Sequence, residues 1–230
     1  MQIVTDAASR PNSLISALGM TSGSGPIVSL SELTYKRGDQ IYGKDEPTNY
    51  VCQVKKGAVR RCRLLSDGRR QINSFHLSGN IFGLENGGVH RFTAEAVVET
   101  TVSLIRRQSL EDVAEFDAVL SRNLLRMTTS NLQHAENHML LLGRKSSMER
   151  VAAFLLEMDE RLAAAGVLSL PMSRRDIADY LGVGLETVSR AVSQLHRAGV
   201  VNFIGNNQRE IVILDRHRLA SFDQPSSARS

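Results

Sequence analysis

Glu186, Ser189 and Arg190 stand three and four residues apart in the stretch LETVSRAVSQL. On a helix that spacing puts all three on one face, where they offer a carboxylate acceptor, a hydroxyl and a five-donor guanidinium fork. Such a set can read the polar edge of a second molecule. The competing reading is an i,i+4 salt bridge between Glu186 and Arg190. On a surface helix that pair contributes only a few tenths of a kcal/mol, and it leaves the glycine hinge just upstream unexplained. Other chemistry-bearing groups are sparser. His134 and His138 sit four apart in HAENH, but the stretch lacks the order HExxH and brings no third ligand, so a solvated or interfacial pair is expected rather than a metal clamp. Cys52 and Cys62 form neither a CxxC nor a disulfide framework; they read as small core residues in a reducing compartment. No Ser/His/Asp ordering, phosphate-cradling glycine loop or paired-carboxylate motif stands out, so an enzyme is not expected.

The elements that must carry the trio come next. Ser173 followed by Asp176 makes a capping-box-like start, and the spacing predicts a helix from about Arg174 to Leu181 with Ile177, Ala178 and Leu181 inward. Gly182 ends it, because glycine adopts positive φ without penalty and lets the chain reverse. A second helix begins near Leu185 with Val188, Ala191, Val192 and Leu195 inward. Counting Arg174 as one, Ala178, Gly182 and Val188 fall at five, nine and fifteen, the spacing of a helix-turn-helix. The N-terminal end of the second helix of such a unit enters the major groove of DNA. There Arg can donate a bidentate pair to guanine, Glu can accept from cytosine, and Ser can bond base or phosphate. Downstream, VVNFIGNNQREIVILD holds two β-type runs, Val200 to Ile204 and Glu210 to Leu214, around GNNQ. That hairpin completes a winged helix. Ser173, Arg174, Thr187 and Arg209 are the expected phosphate-contacting residues, which position without specifying.

The rest of the chain must position this unit. It has 230 residues and a formal charge of +4 from 28 Lys+Arg against 24 Asp+Glu, which permits an anionic partner without demanding one. Residues 1–28 are rich in Ser, Gly and Thr and are expected to be a flexible arm, with residues 223–230 a flexible tail. Residues 29–109 carry short β-type runs punctuated by glycine, which predict a barrel or double-sheet roll. Within YVCQV, alternation puts Tyr50, Cys52 and Val54 on one face. Residues 110–143 turn helical, with no Gly or Pro between Leu110 and Leu142. Leu125, Leu132 and Met139 share one heptad position and Thr128, Ala135 and Leu142 a neighbouring one, a seam that favours a partner helix; the alternative is a helix lying on its own domain. Residues 144–222 form the DNA-binding domain, opened by a helix bearing Met148, Val151, Leu155, Met158 and Leu162. The class is therefore α+β. No run of about 18 apolar residues suits a membrane span, and Asp6 interrupts what a signal peptide would need, so a cytoplasmic protein is expected.

This order resembles the CRP/FNR family of bacterial transcription regulators over about residues 30–215. The resemblance is carried by ETVSR at 186–190 and by the turns RGDQIY, KKGAVR, DGRRQ and SGNIFG. The ExxSR pattern is similar to that of the FNR and FixK-like branches, which read TTGAT-type half-sites in a palindrome; in the cAMP-responsive branch an Arg stands where this chain has Leu185, and Gly where it has Ser189. The resemblance implies a β-roll sensor domain, a long dimerisation helix, a winged helix-turn-helix, a homodimer on double-stranded DNA, and an activator that recruits RNA polymerase, in oxygen- or nitrogen-oxide-responsive control. It also implies what the sensor lacks. Cyclic-nucleotide pockets of the family use a Gly-Glu pair and then Arg-Ser or Arg-Thr; here stand Gly83-Leu84 and Arg91-Phe92, so nucleotide binding is not expected, and Gly83, Arg91 and Thr93 are what remains of an effector pocket. An iron–sulfur cluster would need four cysteine ligands, and the chain has two cysteines. Haem stays open through His76, His90 or the His134 pair, and an effector-gated regulator binding a nucleotide, haem or another small ligand in the roll is the alternative reading.

Overall fold

A computed structural model describes residues 30–85, 87–144, 146–162, 165–205 and 209–223. The expected N-terminal arm, the tail beyond residue 223 and the wing tip at 206–208 lie outside the described residues. The N-terminal half is a roll of two four-stranded antiparallel sheets. One has the order β1 (Leu30–Tyr35), β8 (Thr100–Arg106), β3 (Tyr50–Lys56), β6 (Ile81–Phe82); the other β2 (Gln40–Tyr42), β7 (Thr93–Ala96), β4 (Ala58–Leu64), β5 (Arg70–Leu77). Tyr42, Cys52, Val54, Val59, Phe82, Ala94 and Val102 fill the space between them.

The alternation expected for YVCQV holds only in part. Cys52 and Val54 face the roll interior, but Tyr50 is exposed at the strand's start and Val51 and Gln53 are buried as well. The physical reason is a second cover: Val51, Ile81 and Ile105 pack against Leu110 and Val113 of α1 (Arg107–Ala114) and Leu120 of α2 (Ala118–Arg144). A strand sandwiched on both sides loses the in–out pattern. The Gln53 amide nitrogen donates to the Gly79 carbonyl, while its Oε1 is buried without a hydrogen-bond partner among the described residues.

The single helix expected from Leu110 onward is two. The chain breaks at Glu115–Asp117, where the Asp117 carboxylate accepts from the backbone N–H groups of Val119 and Leu120 and so starts α2 afresh. The break lets Leu110, Val113 and Leu120 all stay on the roll, and that burial outweighs helix continuity.

The C-terminal half opens with α3 (Ser147–Arg161), which Ser146 and Glu149 start with a reciprocal capping box. Helices α4 (Arg174–Leu181) and α5 (Leu185–Arg197) follow, then the wing and α6 (Arg216–Phe222), capped by Asp215. The wing has three strands rather than the expected two: β10 (Val201–Ile204) and β11 (Glu210–Ile213) are joined by β9 (Val167–Ser169), which pairs with β11. Phe154, Leu155, Met158, Tyr180, Val188 and Leu195 form the core of this half, and the same cluster runs on into Ile72, Phe75 and Leu77 of β5. The β5 side of the roll and the winged head thus share one apolar cluster, while the space between the two sheets keeps its own.

Candidate nucleic-acid interface

Helix α5 is set by its inner face. Val188, Ala191, Val192 and Leu195 of α5 are buried. Burying each aliphatic side chain contributes on the order of 1.5–3 kcal/mol, so this face fixes where α5 lies. The outer face contributes almost nothing to that placement. Arg190 Nη2 lies 3.0 Å from Glu186 Oε2, but the two side chains are 81% and 83% exposed, and such a pair is screened to a few tenths of a kcal/mol. Both remain available to a partner. The Ser189 hydroxyl donates to the Leu185 carbonyl at 3.0 Å, which leaves its oxygen lone pairs to accept. Glu186 in the first turn and His196 and Arg197 in the last complement the helix dipole.

What aims α5 is the turn before it. Gly182 has φ +63 and ψ +37, the left-handed cap that ends α4, and Val183 N–H returns to the Ala178 carbonyl. At the other end of α4 the Ser173 hydroxyl accepts from Asp176 N–H and the Asp176 carboxylate accepts from Ser173 N–H. This is the capping box foreseen from the sequence.

The four expected phosphate contacts separate here. The Ser173 hydroxyl is committed to the cap, also donating to Asp176 Oδ2 at 2.7 Å. The Arg174 guanidinium lies over the Phe203 ring of the wing, 5.8 Å from its centroid, and burial lowers its pKa. Thr187 is half-buried in the first turn of α5, and Arg209 is half-buried at the start of β11. Leu125, Leu132 and Met139 line α2 at 68%, 57% and 66% exposure, a stripe of apolar side chains without cover in the single chain. Thr128 and Ala135 are exposed beside it. Leu142 departs from the seam: it is half-buried against the core of the head, because α2 meets α3 and α4 at that end.

The roll residues also sort themselves. Gly83 is buried with φ +83, where a side chain would meet the Tyr50 carbonyl, and its own carbonyl accepts from Arg107 Nη2 at 2.5 Å. It lines a cavity of about 670 Å³ with Arg61, His76, Glu85, Arg126 and His134. Arg91 and Thr93 do not line that cavity; Arg91 is exposed, and the Thr93 hydroxyl accepts from Lys44 N–H. Sequence reasoning missed Glu85, which pairs with Arg61 and with His90 Nδ1. His76 stacks on Phe82 beside the Ser74 hydroxyl, and its burial, with Arg61, Arg161 and His134 nearby, lowers its pKa well below the ordinary value. His134 and His138 do not act as a pair. His138 stacks on Tyr180 and its Nε2–H donates to the Tyr180 carbonyl at 3.0 Å, whereas His134 faces Glu157 at 3.6 Å. Cys52 and Cys62 are buried in separate clusters, and burial pushes their thiols up to about 12 and about 11.

A sheet-rich sensor-type domain joined through a long helix to a winged helix-turn-helix with an open reading face defines a DNA-binding regulator by class. Comparison with known proteins agrees. The Crp-like helix-turn-helix domain matches residues 149–222 and the cyclic nucleotide-binding domain residues 32–116. The chain is 40% identical to the nitrogen fixation regulation protein FixK of Rhizobium meliloti over 97% of both chains. It is 35% identical to the transcriptional activatory protein AadR of Rhodopseudomonas palustris, over 80% of this chain and 77% of that one. The solved structure of FixK2 from Bradyrhizobium japonicum superimposes with a TM-score of 0.82 at 57% identity, covering 86% of this chain and all of that one. The chain belongs to the CRP/FNR family of transcription regulators and carries that family's DNA-binding helix-turn-helix.

Proposed function

We propose that this chain is a transcription activator that binds, as a homodimer, a near-palindromic site built of TTGAT-type half-sites and there recruits RNA polymerase. Glu186, Ser189 and Arg190 read base edges, and the backbone is met by Ser173 through its N-terminal helix turn, by Thr187, and by Arg174 and Arg209 beside the wing. The observation that carries this reading is the exposed trio at the N-terminal end of a helix fixed by its opposite face. The bare stripe of Leu125, Leu132 and Met139 supports pairing of two α2 helices, whose two-fold axis would set the reading helices about one DNA turn, roughly 34 Å, apart.

The same proposal holds that neither a cyclic nucleotide nor an iron–sulfur cluster is required. The residues present do not fit a cyclic nucleotide: Leu84 follows Gly83, the nearby carboxylate Glu85 is engaged by Arg61 and His90, and Arg91 is exposed and does not line the cavity that Gly83 lines. The two cysteines are buried apart from each other, which supports the absence of a cluster. One observation favours an effector-gated second reading, the roll cavity itself, whose lining includes Arg61, Arg126 and Arg161. Selection of bound duplexes from a random pool, with and without added nucleotide or haem, tests both. A palindromic TTGAT-type consensus recovered unchanged in all arms is expected. Recovery of no consensus overturns the DNA reading, and a consensus that appears only with an added ligand overturns effector independence.

A further inference from the structure

Helix α4 is anchored at both ends: α2 and α3 hold its C-terminal end, where Gln71 of β5 also donates to the Tyr180 carbonyl at 3.5 Å, and the roll alone holds its N-terminal half through side-chain ion pairs. At its C-terminal end the Tyr180 carbonyl takes a hydrogen bond from His138 of α2, and Arg150 of α3 donates to the Leu181 carbonyl at 2.9 Å and to the Leu142 carbonyl at 2.8 Å. The N-terminal half, within about 12 Å of that end, is held by the roll. Asp176 divides its two oxygens. Oδ2 closes the capping box with Ser173, while Oδ1 accepts from Arg60 of β4 at 3.0 Å and from Arg70 of β5 at 2.6 Å. One turn on, Asp179 Oδ2 accepts Arg70 Nε at 2.9 Å. Arg60 is itself fixed to the roll by Glu95 at 2.8 Å. All four groups are largely buried, Asp176 almost completely.

The apolar contact alone does not define an angle. Phe75 of β5 meets Tyr180 with ring centroids 5.2 Å apart, but apolar burial is non-directional; direction on that side comes from Arg161 of α3, which donates to the Phe75 carbonyl and to Asn80 Oδ1 at 3.2 Å. A guanidinium fork meeting two carboxylates is directional. Beside these contacts the β4–β5 turn and the helix-turn-helix turn are separated by a cleft of about 720 Å³, lined by Asp67, Arg69, Gly182 and Leu185 among others. Along this edge the angle therefore depends on the arginine strip.

We infer that Arg60 and Arg70 are positioning residues for DNA reading: they set the direction of α4, hence of α5, relative to the roll and the α2 helix it rests on. The inference rests on the reading of α5 as the base-reading helix of a homodimer. What the two arginines then govern is the distance and angle between the two reading heads, that is, the half-site spacing the dimer accepts. Neither arginine touches DNA in this account.

The test uses the full-length protein on palindromic duplexes whose half-sites are set at the preferred separation or shifted by one or two base pairs, at one salt concentration. Arg70→Gln is compared with wild type and with Arg69→Gln, which removes the same charge from the adjacent, exposed residue that pairs only within its own turn. Wild type and Arg69→Gln should keep one sharp spacing preference. In Arg70→Gln the ratio of affinities for the preferred and shifted duplexes should fall by about 5- to 150-fold, the range typical of coupling between sites. A uniform loss of affinity with that ratio intact would mean a merely structural arginine and overturn the inference, as would equal flattening in Arg69→Gln. Should Arg70→Gln fail to fold, Asp179→Asn, which leaves the capping box whole, decides by the same ratio. If wild type does not distinguish palindromic from scrambled duplex, the DNA reading itself fails, a result separable from the others.

Discussion

Replacing Arg190 by alanine separates reading from folding with unusual clarity, because the structure assigns this side chain almost no internal work. Its one polar partner is Glu186 at 3.0 Å, and both side chains are more than four-fifths exposed. Losing that pair should cost the fold at most about 0.5 kcal/mol. Binding is a different matter. A guanidinium bidentate to guanine contributes about 1–3 kcal/mol per base read, or about 5- to 150-fold in affinity at 1.4 kcal/mol per tenfold. A dimer presents two such contacts, and well-separated contacts add, so the loss on a full palindrome should reach about 2–6 kcal/mol. Fluorescence anisotropy of Arg190→Ala on a TTGAT-type palindrome and on a scrambled duplex, at matched salt because phosphate contacts are salt-dependent, reads the effect. Affinity for the palindrome should collapse toward that for the scrambled duplex, while the urea midpoint stays close to wild type. Undiminished discrimination between the two duplexes would refute the assignment of Arg190 as a base reader. A large drop in the urea midpoint would refute the claim that the outer face is structurally idle.

Further outcomes follow from other parts of the molecule. Leu132→Glu places a charge in the bare apolar stripe of α2 and should give a monomer in sedimentation velocity; an unchanged dimer mass would show that the copies associate elsewhere. Gly182→Ala should destabilise by about 1–2 kcal/mol from the left-handed backbone alone, since the new methyl would meet only Leu142 and Arg150 at ordinary contact distances of 3.6 and 3.8 Å; a urea midpoint equal to wild type would contradict the φ of this turn. Acid should weaken the fold early. Burial lowers the pKa of His76, His134 and His138 below 6.5, so the unfolded chain takes up protons at a higher pH than the folded one. Their contribution is complete above about pH 6.5 and is lost as pH falls through the lower folded values. A urea midpoint that does not fall between pH 7.5 and pH 5.5 would oppose this, and His138→Gln should flatten the dependence.

The helix-turn-helix was legible because its information is local. Ser173 and Asp176 lie within one turn, Gly182 is the residue type that adopts that φ at least cost, and Val188 and Leu195 repeat at helical spacing; each choice is dictated by neighbours a few positions away. The roll was legible for the same reason, its glycines marking the turns. The misjudged elements fail where a distant surface decides. Asp117 breaks a helix that nothing in its own composition forbids, because the roll below needs both Val113 and Leu120. Tyr50 lies outside and Val51 inside because two helices cover the strand. Strand β9 is three residues long, too short to carry a pattern, and exists through its pairing with β11.

The candidate site divides along the same line. Glu186, Ser189 and Arg190 could be placed on one face from spacing alone, since a helix maps sequence separation onto direction. Arg60, Arg70, Asp176 and Asp179 could not, for Arg60 and Asp176 are 116 positions apart and no periodicity connects them. The sequence shows only two arginines on one β-type run or the next and two carboxylates on a short helix, each indistinguishable from a solvated residue. Burial changes what those charges must do. A carboxylate as enclosed as Asp176 would be driven toward its neutral form by desolvation, yet its pKa is lowered, because Ser173 and the guanidinium groups of Arg60 and Arg70 together outweigh that cost. Such a buried cluster contributes little net stability compared with apolar packing of the same volume. Its value lies in direction, and direction is what a protein needs when two reading helices must meet successive turns of one duplex.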